Sequence, residues 1–154
     1  MMATDYQTVG FHFMVTFHAI NKFRDEDVRF QSVAGLDVQF ETESWKEGGE
    51  NRFTHELPGR SKFSSSLTLK RGLVKPGDSD ITQWCIDAFV NLKIKPLSLV
   101  SVELLDQEHN VLVKWDVMHV WPKSWKIGEL NAERSEVLIE TLELNYNRFT
   151  YKKP

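Results

Sequence analysis

One cysteine and five histidines are the side chains of this sequence best suited to covalent or metal chemistry. Cys85 would act as a nucleophile if a histidine and Asp87 approached it, since the thiolate and not the thiol attacks. It lies instead among Ile81, Trp84, Ala88, Phe89 and Leu92, an apolar stripe at helical spacing, where a free cysteine behaves as a small buried hydrophobe. The histidines His12, His18, His55, His109 and His119 are scattered. His12 and His18 share a strand face but stand six residues apart, about 20 Å of extended chain, too far to hold one ion. Asp78-Ser-Asp80 resembles the opening of a calcium loop, yet the glycine and bidentate glutamate that complete one do not follow. The spacing predicts no metal site and instead offers a helix cap.

Trp115, Trp121 and Trp125 suggest two uses: an aromatic platform for a sugar or an unpaired base, or strand residues packed in a core or interface. The second is the reading adopted, and the first leaves a small-ligand-binding barrel as the alternative from a different class. Arg60, Lys62, Lys70 and Arg71 form a candidate phosphate patch, against which Glu50, Glu56 and a formal charge of −3 argue. They read better as a solvated or protein-facing surface. The chain carries no glycine-rich phosphate loop between a strand and a helix and no nucleophile elbow. No catalytic residue, cofactor or metal ligand is assigned, and the sequence favours binding or assembly over catalysis.

The elements that would position a surface of this kind are mostly strands. The 154 residues suit one domain with a core of its own, spanning 1–154. A single cysteine excludes an internal disulfide. The N-terminal residues lack the pattern of a signal peptide, and no apolar run approaches a membrane span, so the expectation is a protein made in the bacterial cytoplasm with no membrane insertion of its own. Phe11, Phe13, Val15 and Phe17 alternate with polar neighbours, the period of a half-buried strand. Val28–Val33 reads as a short strand, and Leu36–Trp45 as a longer one with Leu36, Val38 and Phe40 on a core face and Asp37, Gln39, Glu41 and Glu43 facing water.

Alternation resumes over 63–70, where Phe63, Ser65, Leu67 and Leu69 oppose Ser64, Ser66, Thr68 and Lys70. Helical spacing then predicts one helix over about 79–92, capped near Ser79. Strands follow over Leu99–Leu105, Val111 to about Lys126 with a break or bend at Pro122, and Glu136–Tyr146. Six or seven strands and one helix predict a mainly β fold, an antiparallel barrel or sandwich with one flanking helix. Between two of its strands lies a charged stretch of about 46–62, too long for an ordinary turn, which predicts an extended loop or hairpin without a core of its own.

Eight blocks in order carry a resemblance: Phe11-His-Phe13, Ser32-Val-Ala-Gly-Leu36, Glu47-Gly-Gly49, Leu57-Pro-Gly-Arg60, Leu67-Thr-Leu-Lys-Arg-Gly72, Trp121-Pro122, Leu130-Asn-Ala132 and Ile139-Glu-Thr-Leu-Glu-Leu144. Over about residues 9 to 147 the chain resembles the tail tube proteins of contractile phages, a family that includes the inner tube proteins of phage-tail-like contractile injection particles. The resemblance implies a six-stranded antiparallel barrel with a flanking helix that assembles as a hexameric ring and is not an enzyme. Such rings stack into a hollow tube inside a contractile sheath and are driven through a target envelope. The implied partners are further copies of the chain, sheath protein, baseplate hub and spike, a tube-terminating cap, and DNA or effector cargo in the lumen. Assembly is expected in a virion tail or an injection particle. Within the family, an adaptor ring joining tube to spike hub is the alternative to the repeating tube subunit.

Two surfaces follow from that frame. Asp37, Gln39, Glu41 and Glu43, with Ser64, Ser66, Thr68 and Lys70, are expected to line a hydrophilic, partly acidic lumen. Trp45, Lys46, Glu47, Glu50, Arg52, Phe53, Glu56, Leu57, Arg60 and Lys62 are expected to contact the adjacent ring. Mixed charges suit pairing with a second copy, and Trp45, Phe53 and Leu57 would anchor it.

Overall fold

A computed structural model describes residues 12–20, 30–46, 48–49, 52–73, 77, 79–133 and 137–152. Its elements are β1 (His12–Phe17), β2 (Ser32–Ala34), β3 (Val38–Trp45), β4 (His55–Phe63), β5 (Ser66–Gly72), α1 (Asp80–Phe89), β6 (Leu97–Leu105), β7 (Val111–Ile127), β8 (Ile139–Asn145) and β9 (Arg148–Lys152). Seven strands form one antiparallel sheet in the order β1-β6-β7-β8-β5-β2, with β9 paired to β7. The remaining two, β3 and β4, pair with each other and, among the described residues, with no other strand.

Strand β7 builds both layers of the core. Its first part pairs with β6 and β9, and after a turn its last part pairs with β8. His119, in left-handed backbone at φ 56°, marks the turn, and a bulge follows between Pro122 and Ser124. The bend expected at Pro122 is thus a bulge, where a missing N–H costs no ladder bond. Val15, Val100, Val102 and Val117 of one layer face Leu67, Leu69, Leu142 and Leu144 of the other, all buried. Trp115 and Trp125 pack against this core, as their strand reading expects.

Helix α1 closes one side through Ile81, Trp84, Cys85 and Ala88. Ser79 caps it, accepting from the Thr82 N–H at 3.2 Å. It ends at Phe89, earlier than the apolar spacing predicts: Leu92 turns to φ 56° and is 82% exposed. Positive φ at a non-glycine residue stops a helix by directing the next N–H back to a free carbonyl, here Lys93 N–H to Asp87 O at 2.8 Å.

Other expectations need correction. β9 has no counterpart in the sequence reading, and the extended loop or hairpin expected over about 46–62 is a hairpin whose second strand is β4, with its first strand, β3, beginning at Val38. The short strand expected at Val28–Val33 is found at Ser32–Ala34, its first two residues lying outside the described ones, and β8 begins at Ile139. Most consequential is β3. Its alternation is real, but Val38 is 50% and Phe40 63% exposed, so the face read as a core face has no core beneath it. Only Leu36, before the strand, packs on the main cluster.

Candidate functional site

The β3–β4 hairpin is held at its base and open along its length. Gly35 permits its departure from the core: a Cβ there would lie 1.9 Å from the Ser66 carbonyl oxygen, and its φ is 102°. Buried Tyr146 donates its hydroxyl to Gly35 O at 2.7 Å, and Ser64 N–H bonds to Asp37 O at 3.0 Å. Register then runs from Val38 opposite Phe63 to Trp45 opposite His55, with a bulge near Gly59. A Cβ on Gly59 would lie 2.7 Å from Glu41 O, so the bulge needs glycine. Eight residues of β3 span about 26 Å.

By register, Val38, Phe40, Thr42 and Ser44 share one face of the hairpin, while Gln39, Glu41, Glu43 and Trp45 share the other with Lys62, Leu57 and His55. The His55 ring lies 5.4 Å from Trp45 and 4.9 Å from Phe53, so the tip carries one aromatic cluster. Trp45, Phe53 and Leu57 are each about half exposed. The structure therefore brings the three expected anchors to one end of the hairpin, with Lys46, Arg52 and Glu56 exposed beside them and Arg60 and Lys62 nearer the base. Glu47 and Glu50 lie outside the described residues.

The residues expected to line a lumen are divided. Ser66, Thr68 and Lys70 alternate with buried Leu67, Leu69 and Arg71 and sit on the outer face of the main sheet. Asp37 and Ser64 are at the base of the hairpin, and Gln39, Glu41 and Glu43 are on the hairpin itself. The outer face gains members that sequence reading missed. Thr141, Glu143 and Asn145 of β8 stand opposite Lys70, Thr68 and Ser66, and on their other side stand opposite Lys126, Ser124 and Trp121 of β7. Their signal was available, since they alternate with Leu142 and Leu144. Trp121 is thus on a polar face, where its Nε1–H donates to the Asn145 amide oxygen at 3.1 Å once that amide is turned to match the donors and acceptors around it. Ser66 Oγ donates to Glu143 Oε1 at 2.6 Å and Lys123 Nζ approaches it at 3.5 Å. The Ser66 hydrogen bond first, opposed by partial burial and helped by Lys123 and Lys126, holds the Glu143 carboxyl below its usual range.

Two polar networks hold the frame. Arg71, read from sequence as part of a surface patch, is buried, because on β5 it follows the inward side of the alternation. Its Nε lies 2.9 Å from Glu140 Oε2, its Nη2 donates to Ser79 Oγ at 2.8 Å and Thr82 Oγ1 at 3.1 Å, and its guanidinium covers the Phe30 ring. Trp125 Nε1–H also donates to Glu140. This network ties β5 and β8 to the start of α1. Beside it, burial, then the charge of Glu140, with Arg71 opposing, pushes the Cys85 thiol up to about 12. A thiol so placed is neither ionised nor nucleophilic at neutral pH.

On the face of β1, β6, β7 and β9 a polar row holds Asp116. Ser101 donates to Asp116 Oδ1 at 3.0 Å, His18 Nε2 lies 2.9 Å from Ser101 Oγ, and Lys152 Nζ lies 2.9 Å from Asp116 Oδ2. Burial acts to raise the Asp116 carboxyl, but hydrogen bonds from Lys152 and Ser101 and the charge of Lys114 outweigh it and hold it low. Serine, histidine and aspartate meet here in the wrong order for nucleophilic catalysis: the serine bonds both partners, and no base is oriented by the acid. Ser101 is 1% exposed, which denies access to a substrate. Among the described residues no group of three or more histidine, cysteine or acidic side chains is placed to hold a metal. No helix among them is long and apolar enough to cross a membrane.

Residues 9–150 match the family of the T4-like virus tail tube protein gp19. Among solved structures, a chain in the anti-feeding prophage baseplate, 6-fold symmetrised, is 28% identical with a TM-score of 0.80, covering 99% of this chain and 98% of that one. A chain of the anti-feeding prophage tube-terminating cap is 26% identical with a TM-score of 0.76, covering 99% and 95%. The fold is also that of a chain in the sheath-tube complex of the extracellular contractile injection system PVC, at 22% identity, TM-score 0.75 and coverages of 97% and 94%. No curated protein sequence matches. The chain belongs to the T4-like tail tube protein family, a family of structural tube components of contractile particles and not of enzymes.

Proposed function

We propose that this chain is the repeating subunit of the inner tube of a contractile tail or injection particle, assembling as hexameric rings that stack within a sheath. The observation that carries the reading is the β3–β4 hairpin: among the described residues it pairs with no strand of the main sheet, and it presents Val38, Phe40, Trp45 and Phe53 at least half exposed. Apolar side chains on a projecting arm suit a surface that a second copy covers. The arm docks on the adjacent ring, with the Trp45, Phe53 and Leu57 end as its anchor.

The outer face of β2, β5, β8 and the end of β7 lines the lumen. Apart from Trp121, its serines, threonines, lysines and Glu143 present a polar surface to DNA or effector cargo, and Lys70, Lys123 and Lys126 outnumber Glu143 on it. The acidic Asp37, Glu41 and Glu43 belong to the arm and its base. In this arrangement β2 and the last part of β7, each paired on one side only among the described residues, are the two edges of the wall. Joining one to the other around a ring removes both edges, and closure then protects against aggregation. Sheath, baseplate hub and cap are the further partners.

Negative-stain microscopy of the purified protein tests this: rings or tubes are expected, and a monomer at high concentration would overturn it. Deleting residues 47–56 should leave a soluble protein that no longer forms tubes. A second reading, an initiator ring between tube and spike hub, draws on the resemblance to a chain from a baseplate structure. Copy number in a purified particle separates the two, a single ring against many.

A further inference from the structure

We infer that the hollow between residues 128–132 and 137–139 is the receiver for the β3–β4 hairpin of a second copy in the adjacent ring, an inference that rests on the inter-ring role proposed for the hairpin. The hollow has a volume of about 600 Å³ and is lined by Glu129, Leu130, Ala132, Val137 and Ile139 among others. It is open and mixed, with Glu129 and Asn131 beside its apolar members: Leu130 is 75% and Val137 73% exposed, with Leu73 at 45% and Ile127 at 43% next to it. Side chains of this size left in water at one spot are a surface built to be covered.

Topology places this patch opposite the arm. The hairpin leaves the main sheet at the end marked by Ser66 opposite Asn145, and Asn145 opposite Trp121. The hollow lies at the other end, where Gly72 stands opposite Ile139 and Ile127 opposite Glu140. Gly128 N–H to Ile139 O at 2.9 Å and Leu73 N–H to Leu138 O at 2.9 Å fix the chain around it. When subunits stack head to tail, the end that bears the arm meets the end that bears the hollow, and one self-complementary pair repeats without closing. Composition matches as well: the tip brings Trp45, Phe53 and Leu57 to the hollow, and Lys46 beside the tip rings meets Glu129 and Glu133. Exposed aromatic groups entering an apolar pocket are the usual energetic centre of a protein interface.

Cysteine pairs test the contact in assembled protein. Leu130→Cys is combined in turn with Trp45→Cys, Phe53→Cys and Leu57→Cys, leaving native Cys85 in place because it is 1% exposed. Oxidised tubes are expected to give a covalent ladder with at least one pair, since a disulfide requires Cα atoms within about 7 Å, and dissociated rings to give none. Normal tubes in which no pair links overturn the receiver while leaving the arm's inter-ring role intact. Tubes that persist after deletion of 47–56 overturn that role and this inference with it. Should the cysteine variants fail to stack, Val137→Asp decides: rings of native size that need at least tenfold more protein to form tubes support the receiver, and unchanged stacking refutes it.

Discussion

Phe40→Ser separates folding from assembly. Phe40 is 63% exposed and touches no residue of the main core, so its removal costs the isolated subunit only a difference in strand preference, about 1 kcal/mol or less. Assembly should respond differently. An aromatic side chain presents about 150–250 Å², of which 63% leaves roughly 100–150 Å² to be covered by a neighbouring copy. At about 25 cal/mol per Å² this amounts to roughly 2.5–4 kcal/mol per subunit, or about a 70- to 900-fold weaker association. Sedimentation velocity and electron microscopy measure the assembly, and thermal unfolding of dissociated subunits measures the fold. A variant that assembles as well as the parent refutes the claim that this face is covered. One whose isolated subunit loses several kcal/mol refutes the claim that the arm stands apart from the core.

Arg71→Ala should destabilise the subunit by about 3–5 kcal/mol, because Glu140 is left charged and buried without its partner, whereas Arg71→Met with Glu140→Leu should recover most of the loss; urea unfolding of the two variants checks both. A single variant within 1 kcal/mol of the parent would contradict the buried pair. Asp116, held below the usual carboxylate range, contributes stability present above its unfolded pKa and lost as the pH falls through its folded value. Asp116→Asn should therefore lower stability at pH 7 by about 2 kcal/mol and flatten the acid limb below about pH 5, as followed by circular dichroism. Cys85, with its thiol pushed up to about 12, should resist alkylation in the native protein and react fully in denaturant; rapid labelling of folded subunits would show that the α1 packing is wrong.

Much of the fold is legible in local periodicity. Helix α1 follows from Ile81, Trp84, Cys85 and Ala88, its cap from Ser79, and β5 from the alternation of Leu67 and Leu69 with Ser66 and Thr68. Periodicity says which side chains share a face but not what the face meets. Val38 and Phe40 show the limit: their alternation is that of a core strand, yet the chain that would cover them is not their own. Arg71 shows it in reverse, since a basic residue at an inward position needs a buried acid to be tolerated, and Glu140 is 69 positions away. β9 is five residues long and is separated from β8 only by Tyr146 and Asn147, so its sequence gives little sign that the chain changes layer there.

The arm's architecture also sets where assembly energy can reside. A two-stranded hairpin without a third strand is marginally stable in water, because one ladder and its side-chain pairs barely offset the entropy of ordering. Here the base escapes that limit: Gly35 packs against Ser66, Tyr146 bonds Gly35 from the core, and Ser64 bonds Asp37. At the tip, among the described residues, the ladder continues and the Trp45–His55–Phe53 cluster joins it, with no bond to the main sheet comparable to those at the base. Order must therefore fall from base to tip, and contacts made near Val38 and Phe40 are preformed while those made by Phe53 are offset by the ordering they impose. Tyr146→Phe, which removes the hydroxyl holding Gly35, should then loosen the base of the hairpin. Its signature is faster amide exchange over β3 with β5 and β8 unchanged, together with weaker ring stacking, and equal protection of β3 in parent and variant would refute this ordering of the arm.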